Sequence, residues 1–112
     1  MAISINSIEL LQKYLNGVLE RAEHHAVNVK GVSLALIGAV IAKSDGEIEV
    51  REYKGRPANI LWFCVNEKKY AMTYNHQKEQ IELRYRTQCG KTLGVFDNKT
   101  TYETIIEVFN NL

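Results

Sequence analysis

The sequence predicts an α+β fold with N-terminal helical segments, an antiparallel β-meander of four to five strands, and a C-terminal helix. Three observations carry this. Apolar residues recur at three- and four-residue steps between Ile8 and Ala26, the spacing of one helix face. From Glu47 onward the period falls to two, as half-buried antiparallel strands require. Thr100-Thr101-Tyr102-Glu103 then offers a capping box ahead of a last apolar stripe, which starts a closing helix.

Taken in order, the first helix is expected to begin near Ser7. Asn6 is its cap, Glu9 stands three residues later, and Ile5 and Leu10 hold the two staple positions. Its stripe is Ile8, Leu11, Leu15, Val18, Leu19, Ala22 and Ala26. After Asn28 a second apolar segment runs through Val32, Leu34, Leu36 and Ile37. It is read as helix to about Gly38, with residues 39–43 as a strand entering a tight turn at Asp45-Gly46. Ile48 and Val50 alternate with Glu47, Glu49 and Arg51, while Ile81, Leu83 and Tyr85 alternate with Glu82, Arg84 and Arg86. Pro57 and Gly55 mark a loop, and turns are expected at Asn66-Glu67, Gln77-Lys78 and Gln88-Cys89-Gly90. The closing helix presents Tyr102, Ile105, Ile106, Phe109 and Leu112 to the core.

Turn lengths constrain which side chains share a face, because a one-residue slip inverts a strand. Two-residue turns at Asn66-Glu67 and Gln77-Lys78 set Leu61 opposite Met72, Phe63 opposite Tyr70, Tyr74 opposite Ile81 and Met72 opposite Leu83. A three-residue Gln88-Cys89-Gly90 loop adds Leu93 and Val95 to that face, which the helices should cover. The other face carries Ile60, Trp62, Cys64, Ala71 and Thr73, bordered by Glu82, Arg84 and Arg86. An apolar patch rimmed by charge is a contact surface unless some element of the chain covers it.

Composition narrows the function. At 112 residues and 46% hydrophobic content the chain is one domain, 1–112, able to bury a core without metal or disulfide. Its 14 basic and 13 acidic residues are interleaved with a net charge of +1, so it has no basic stripe to neutralise phosphates and no nucleic-acid partner is expected. The apolar run from Val32 to Ala42 is about half the ~20 residues that span a bilayer, and the first residues are not a secretory signal. A cytoplasmic protein with no membrane partner is expected. Cys64 and Cys89 are read as free thiols in a reducing compartment.

The most chemically suggestive run is ERAEHHAVNV, residues 20–29. On a helix, His24 and His25 diverge by about 100° and cannot share one metal from a single face. His24 and Glu20 are an ordinary i,i+4 pair, and His25 falls at the edge of the stripe. His76 lies by a turn beside Tyr74 and Asn75, where a neutral imidazole can act as a base. No nucleophile elbow, phosphate loop or zinc motif accompanies these residues, so neither metal nor cofactor is expected. The binding candidates are Trp62, Ile60, Arg84, Arg86, Tyr53 and Arg51, since aromatic groups and guanidinium forks dominate contact energetics. A possible polar site is His24, His25 and His76.

Three segments, INSIELLQKYLNGVLERAEHHA, NILWFCVNEKKYAMTYNH and FDNKTTYETIIEVF, resemble the bacterial integron cassette protein family. The resemblance implies a small α+β cytosolic protein carried on mobile gene cassettes, often an oligomer, and transfers no catalytic residue. The expected function is a noncatalytic interaction module, an immunity or accessory protein that binds a protein partner or itself, as a homo-oligomer, through the Trp62 sheet face. The alternative is a small-ligand-binding protein or a minor enzyme using His76 or His24.

Overall fold

The structure, a computed structural model, describes residues 2–5, 12, 29–53, 56–75 and 77–112. Gln12 is helical and exposed; the rest of the helix expected from Ser7 to Ala26 lies outside the described residues. The elements are β1 (Ala2–Ile5), α1 (Lys30–Lys43), β2 (Ile48–Tyr53), β3 (Arg56–Val65), β4 (Lys68–Asn75), β5 (Gln80–Tyr85), β6 (Thr92–Phe96) and α2 (Tyr102–Asn110). All strand pairs are antiparallel, and the six lie side by side in chain order. The expected α+β meander is therefore present with one more strand, β1, which pairs Ile3 with Val50 and Ile5 with Ile48.

That extra strand bears on an expectation that fails. Residues 39–43 are not a strand; α1 continues to Lys43 and ends at Ser44. Val29, Val32, Leu36 and Val40 are all buried, so the helical step of three and four persists past Gly38 and holds the last turn against the core. The place beside β2 that a hairpin would have filled is taken by β1. Asp45 instead joins α1 to the β3–β4 turn: its N–H donates to the Cys64 carbonyl at 2.9 Å, and its carboxylate accepts from Asn66 N–H at 2.6 Å.

The β3–β4 hairpin has the expected register. Asn66 and Glu67 both adopt positive φ, 53° and 67°, the left-handed pair that matches strand twist in a two-residue turn. Phe63 then opposes Tyr70 and Leu61 opposes Met72. At the next turn Asn75 Oδ1 accepts from the N–H groups of Gln77 and Lys78 at 3.0 and 3.1 Å, a side-chain-closed turn. Tyr74 opposes Ile81 and Met72 opposes Leu83, as expected.

The β5–β6 connection departs from the three-residue loop. Val95 pairs with Glu82, not with a core residue, and is 47% exposed, while Phe96 pairs with Ile81 and is buried. A bulge between Leu83 and Arg84 lets Leu93 still reach the core, because the extra residue restores its inward direction. The loop folds back on β5. Tyr85 N–H donates to the Lys91 carbonyl at 3.0 Å, and a Cβ on Gly90 would lie 1.9 Å from the Tyr85 oxygen, so only glycine permits this approach.

Both described helices cover one face of the sheet, where Val32, Leu36, Val40, Phe63, Tyr70, Leu83, Phe96, Ile105 and Phe109 form the core. They pack side by side, and the contacts at their two ends set them running in the same direction. The start of α1 is tied to the loop before α2 at Asn98, whose Oδ1 accepts from Val32 N–H at 3.0 Å. Their ends meet at Asn66, whose N–H binds Asp45 and whose side chain reaches the Leu112 carbonyl at 3.4 Å. The α2 cap is Thr101 and not Thr100: Thr101 Oγ1 accepts from Thr104 N–H at 3.2 Å, while Thr100 Oγ1 accepts from Asp97 N–H at 2.9 Å. Thr101→Ala should cost about 1 kcal/mol, read as a lowered urea midpoint at unchanged slope. Among the described residues, no helix is long and apolar enough to cross a membrane.

Candidate functional site

Trp62 lies on the sheet face turned away from α1 and α2, directly opposite Glu49 and Ala71 in the ladders. The Arg51 guanidinium carbon is 5.4 Å and the Lys69 amine 5.7 Å from its ring centroid, and Lys69 also pairs with Glu49 at 3.2 Å. The alternation of strands alone places these groups together, since residues facing one another across a ladder share a face. Each cation contributes on the order of 0.5–1 kcal/mol at such a partly wet ring. Ile60 is 5% exposed and Ala71 is buried, so the centre of this face is closed within the molecule. What remains open is the half-buried Trp62 and its charged collar.

Arg84, also proposed as a binding residue, is committed internally. Its Nε and one terminal nitrogen donate to Glu82 Oε1 at 3.2 and 2.7 Å, and its other terminal nitrogen donates to the Gly90 carbonyl at 2.9 Å. Asn75 Nδ2 supplies Glu82 Oε2 at 3.1 Å. Hydrogen bonding from Arg84 holds the Glu82 carboxyl below its ordinary range, against the burial that pushes it up. Arg86 is exposed on the following turn at φ 66°, its N–H bound to the Lys69 carbonyl. Tyr53 pairs with Arg56 in the ladder, and its side chain lies outside the described residues. His24, His25 and His76 lie outside them as well.

Two features were not read from the sequence. The first is a groove of about 390 Å³ between the end of α2 and the sheet, where Tyr70, Tyr85, Leu93 and Val108 meet Lys68 and Glu107. The rings of Tyr70 and Tyr85 stand edge to face at 5.9 Å. Tyr70 is buried. Burial, and then the neighbouring Tyr85, push that phenol above its ordinary range.

The second is the outer side of α1. Gly31, Leu34, Ala35, Gly38, Ile41 and Ala42 are all exposed, and no charged residue interrupts the helix between Lys30 and Lys43. Leu34 and Ile41 are 52% and 51% exposed; on α2, Tyr102 and Ile106 are 72% and 54% exposed. A helix that is apolar all round normally has neighbours on every side. The sequence signal was the length of the uncharged run, which exceeds what one buried stripe needs.

These features define a small α+β domain: an antiparallel meander closed on one face by two parallel helices, whose outer side is apolar. Residues 11–106 match the family model described as integron cassette protein VCH_CASS1 chain, and the chain belongs to that family. No curated protein matches it.

Proposed function

We propose that the protein is a noncatalytic interaction module of its cassette, an accessory or immunity-type protein that binds a protein partner or a second copy of itself. The supporting observation is the uncharged, exposed outer side of α1, continued by Tyr102 and Ile106 of α2. Exposed apolar patches of this kind are contact surfaces. Of the two surfaces considered, the helical one is more open than the Trp62 face, whose Ile60 is buried.

The test is capture from the native host with tagged wild type and with Leu34→Glu/Ile41→Glu, followed by mass spectrometry and by mixing any recovered protein with the purified chain. Both side chains are half out in solvent, so the double variant should keep its melting temperature to within a few degrees. It should lose the captured partner or the self-association seen with wild type. Equal binding by wild type and variant rejects the helical surface, and Trp62→Glu then tests the sheet face.

A second reading rests on the groove at Tyr70. A groove lined by Tyr70, Tyr85, Leu93 and Val108, with Lys68 and Glu107 beside them, suits a small, largely apolar molecule bearing a polar group.

A further inference from the structure

We infer that the groove between the end of α2 and the sheet binds a small zwitterion with an apolar body, of which an amino acid with an aromatic or large aliphatic side chain is the simplest kind. This rests on the second reading above, that the groove takes a small molecule, and names its chemistry. Three observations carry it.

The first is where the two charges stand. Lys68 lies two residues before Tyr70 on β4, so both project from the helix-covered face of the sheet. Glu107 reaches the same groove from α2. The amine and the carboxylate therefore line one groove from its two walls, and they make no ion pair with each other. A ligand with a single charge would face a like charge on one wall. A neutral ligand would draw water from both charges and return nothing to either. An ammonium for Glu107 and a carboxylate for Lys68 leave neither unmatched.

The second is the polarity of α2. Glu107 stands in the last turn of a helix that ends at Asn110, and that turn has no basic residue. The C-terminal end of a helix carries partial negative charge and favours cations. A carboxylate placed there opposes the stability of its own helix, and an ammonium beside Glu107 would meet the carboxylate and the helix end together. The orientation of the zwitterion follows: its ammonium turns to α2 and its carboxylate to β4.

The third is the wall between the charges. The rings of Tyr70 and Tyr85 meet at 68° with centroids 5.9 Å apart, and Leu93 and Val108 continue the surface they start. Such a corner suits an aromatic or branched apolar group, and about 390 Å³ is room for a small molecule. Burial, and then Tyr85, hold the Tyr70 phenol above its ordinary range, so Tyr70 stays neutral and adds no charge to those of Lys68 and Glu107.

Chemical-shift titration of the purified full chain with L-phenylalanine tests this. Three further probes accompany it: phenethylamine, which lacks the carboxylate, hydrocinnamate, which lacks the ammonium, and phenethyl alcohol, which lacks both charges. Lys68 and Glu107 are exposed and solvent screens them, so the dissociation constant for phenylalanine should be on the order of 0.1–1 mM. Each single-charge probe should bind at least tenfold more weakly, and the alcohol more weakly still. Tyr85→Ala should weaken phenylalanine binding at least tenfold with little change in melting temperature, because Tyr85 is 38% exposed. Glu107→Gln should weaken phenylalanine and phenethylamine several-fold and spare hydrocinnamate, while the melting temperature holds or rises, since a charge at the wrong helix end is removed. Lys68→Met should weaken phenylalanine and hydrocinnamate and spare the amine. Phenylalanine held no more tightly than one single-charge probe overturns the zwitterion, as does binding that either charge variant leaves unchanged. An alcohol bound as well as phenylalanine also overturns it, yet leaves the groove standing as a ligand site. Binding indifferent to Tyr85→Ala, or no shift from any probe up to about 10 mM, removes the groove reading as well.

Discussion

Phe63→Ala should destabilise the protein by about 3–5 kcal/mol, the cost of emptying a fully buried aromatic site. Phe63 has no exposed surface. Its ring stacks on Phe109 at 5.9 Å and tilts against Tyr70 at 5.6 Å, so it joins the centre of the sheet to the helix that closes it. Removing the ring leaves a cavity between two layers that rigid backbone hydrogen bonding keeps apart, and the site cannot collapse to fill it. Phe63→Leu should cost only about 1–2 kcal/mol, since it keeps most of the volume and loses the ring pairing. Guanidinium unfolding reads both, with the midpoint falling at constant slope. An alanine variant that loses less than 1 kcal/mol would show that α2 does not depend on this contact. Paired with Phe109→Leu, the leucine variant should be non-additive, because the two rings touch.

The reason Phe63 could be placed in the core from sequence shows which parts of this fold were legible. Its facing partner Tyr70 follows from a two-residue turn at Asn66-Glu67, and such a turn leaves no freedom in the ladder. The β4–β5 register was legible for the same reason. Val95 was misplaced because the β5–β6 loop folds Gly90 back against the Tyr85 carbonyl and a bulge shifts the ladder between Leu83 and Arg84. Gly90 marks a turn in the sequence, but no residue marks the bulge. Residues 39–43 were misread because Ala, Val and Ile in a row satisfy both periods, so the choice was made by tertiary packing of Val40 and by β1 occupying the edge of β2. A four-residue strand at Ala2–Ile5 carries too little pattern to compete with the helix start that follows it.

The surface was less legible than the core. The run from Val32 to Ala42 reads as buried, and half of it is: Val32, Leu36 and Val40 face the sheet while Leu34 and Ile41 face out. An amphipathic helix declares its wet side through polar residues. α1 has none to declare, so its exposed side became visible only once the sheet and α2 had taken the other. Trp62 presents the converse case, since its aromatic and guanidinium neighbours look like a contact surface in sequence. In space, Arg51, Lys69 and Glu49 already saturate much of it. Glu82 was read as a border charge and is instead buried.

That burial sets the last expectation. Arg84→Met should destabilise the protein by about 2–3 kcal/mol, because it strands the Glu82 carboxylate under cover with only Asn75 to bind it. The value sits at or below the lower end for a buried pair because the Arg84 side chain keeps 24% of its surface in solvent. The Gly90 carbonyl also loses its donor, which loosens the β5–β6 loop. Replacing both charges, Glu82→Leu/Arg84→Met, should recover most of the loss, since an apolar pair needs no compensation. The sign of the pH dependence follows from the same contact. Glu82 is held below its unfolded value in the native state, so its contribution is present above the unfolded carboxyl range, about 4.3. It disappears as the pH falls through the lowered native value. Wild type should therefore lose stability below about pH 4 more steeply than Glu82→Gln, which has no proton to take up at this position. Chemical denaturation at pH 7 and again at pH 3 compares them. If the gap between the two proteins does not narrow at the lower pH, Arg84 and Asn75 do not favour the ionised form of Glu82, and the contact is a neutral hydrogen-bonded cluster.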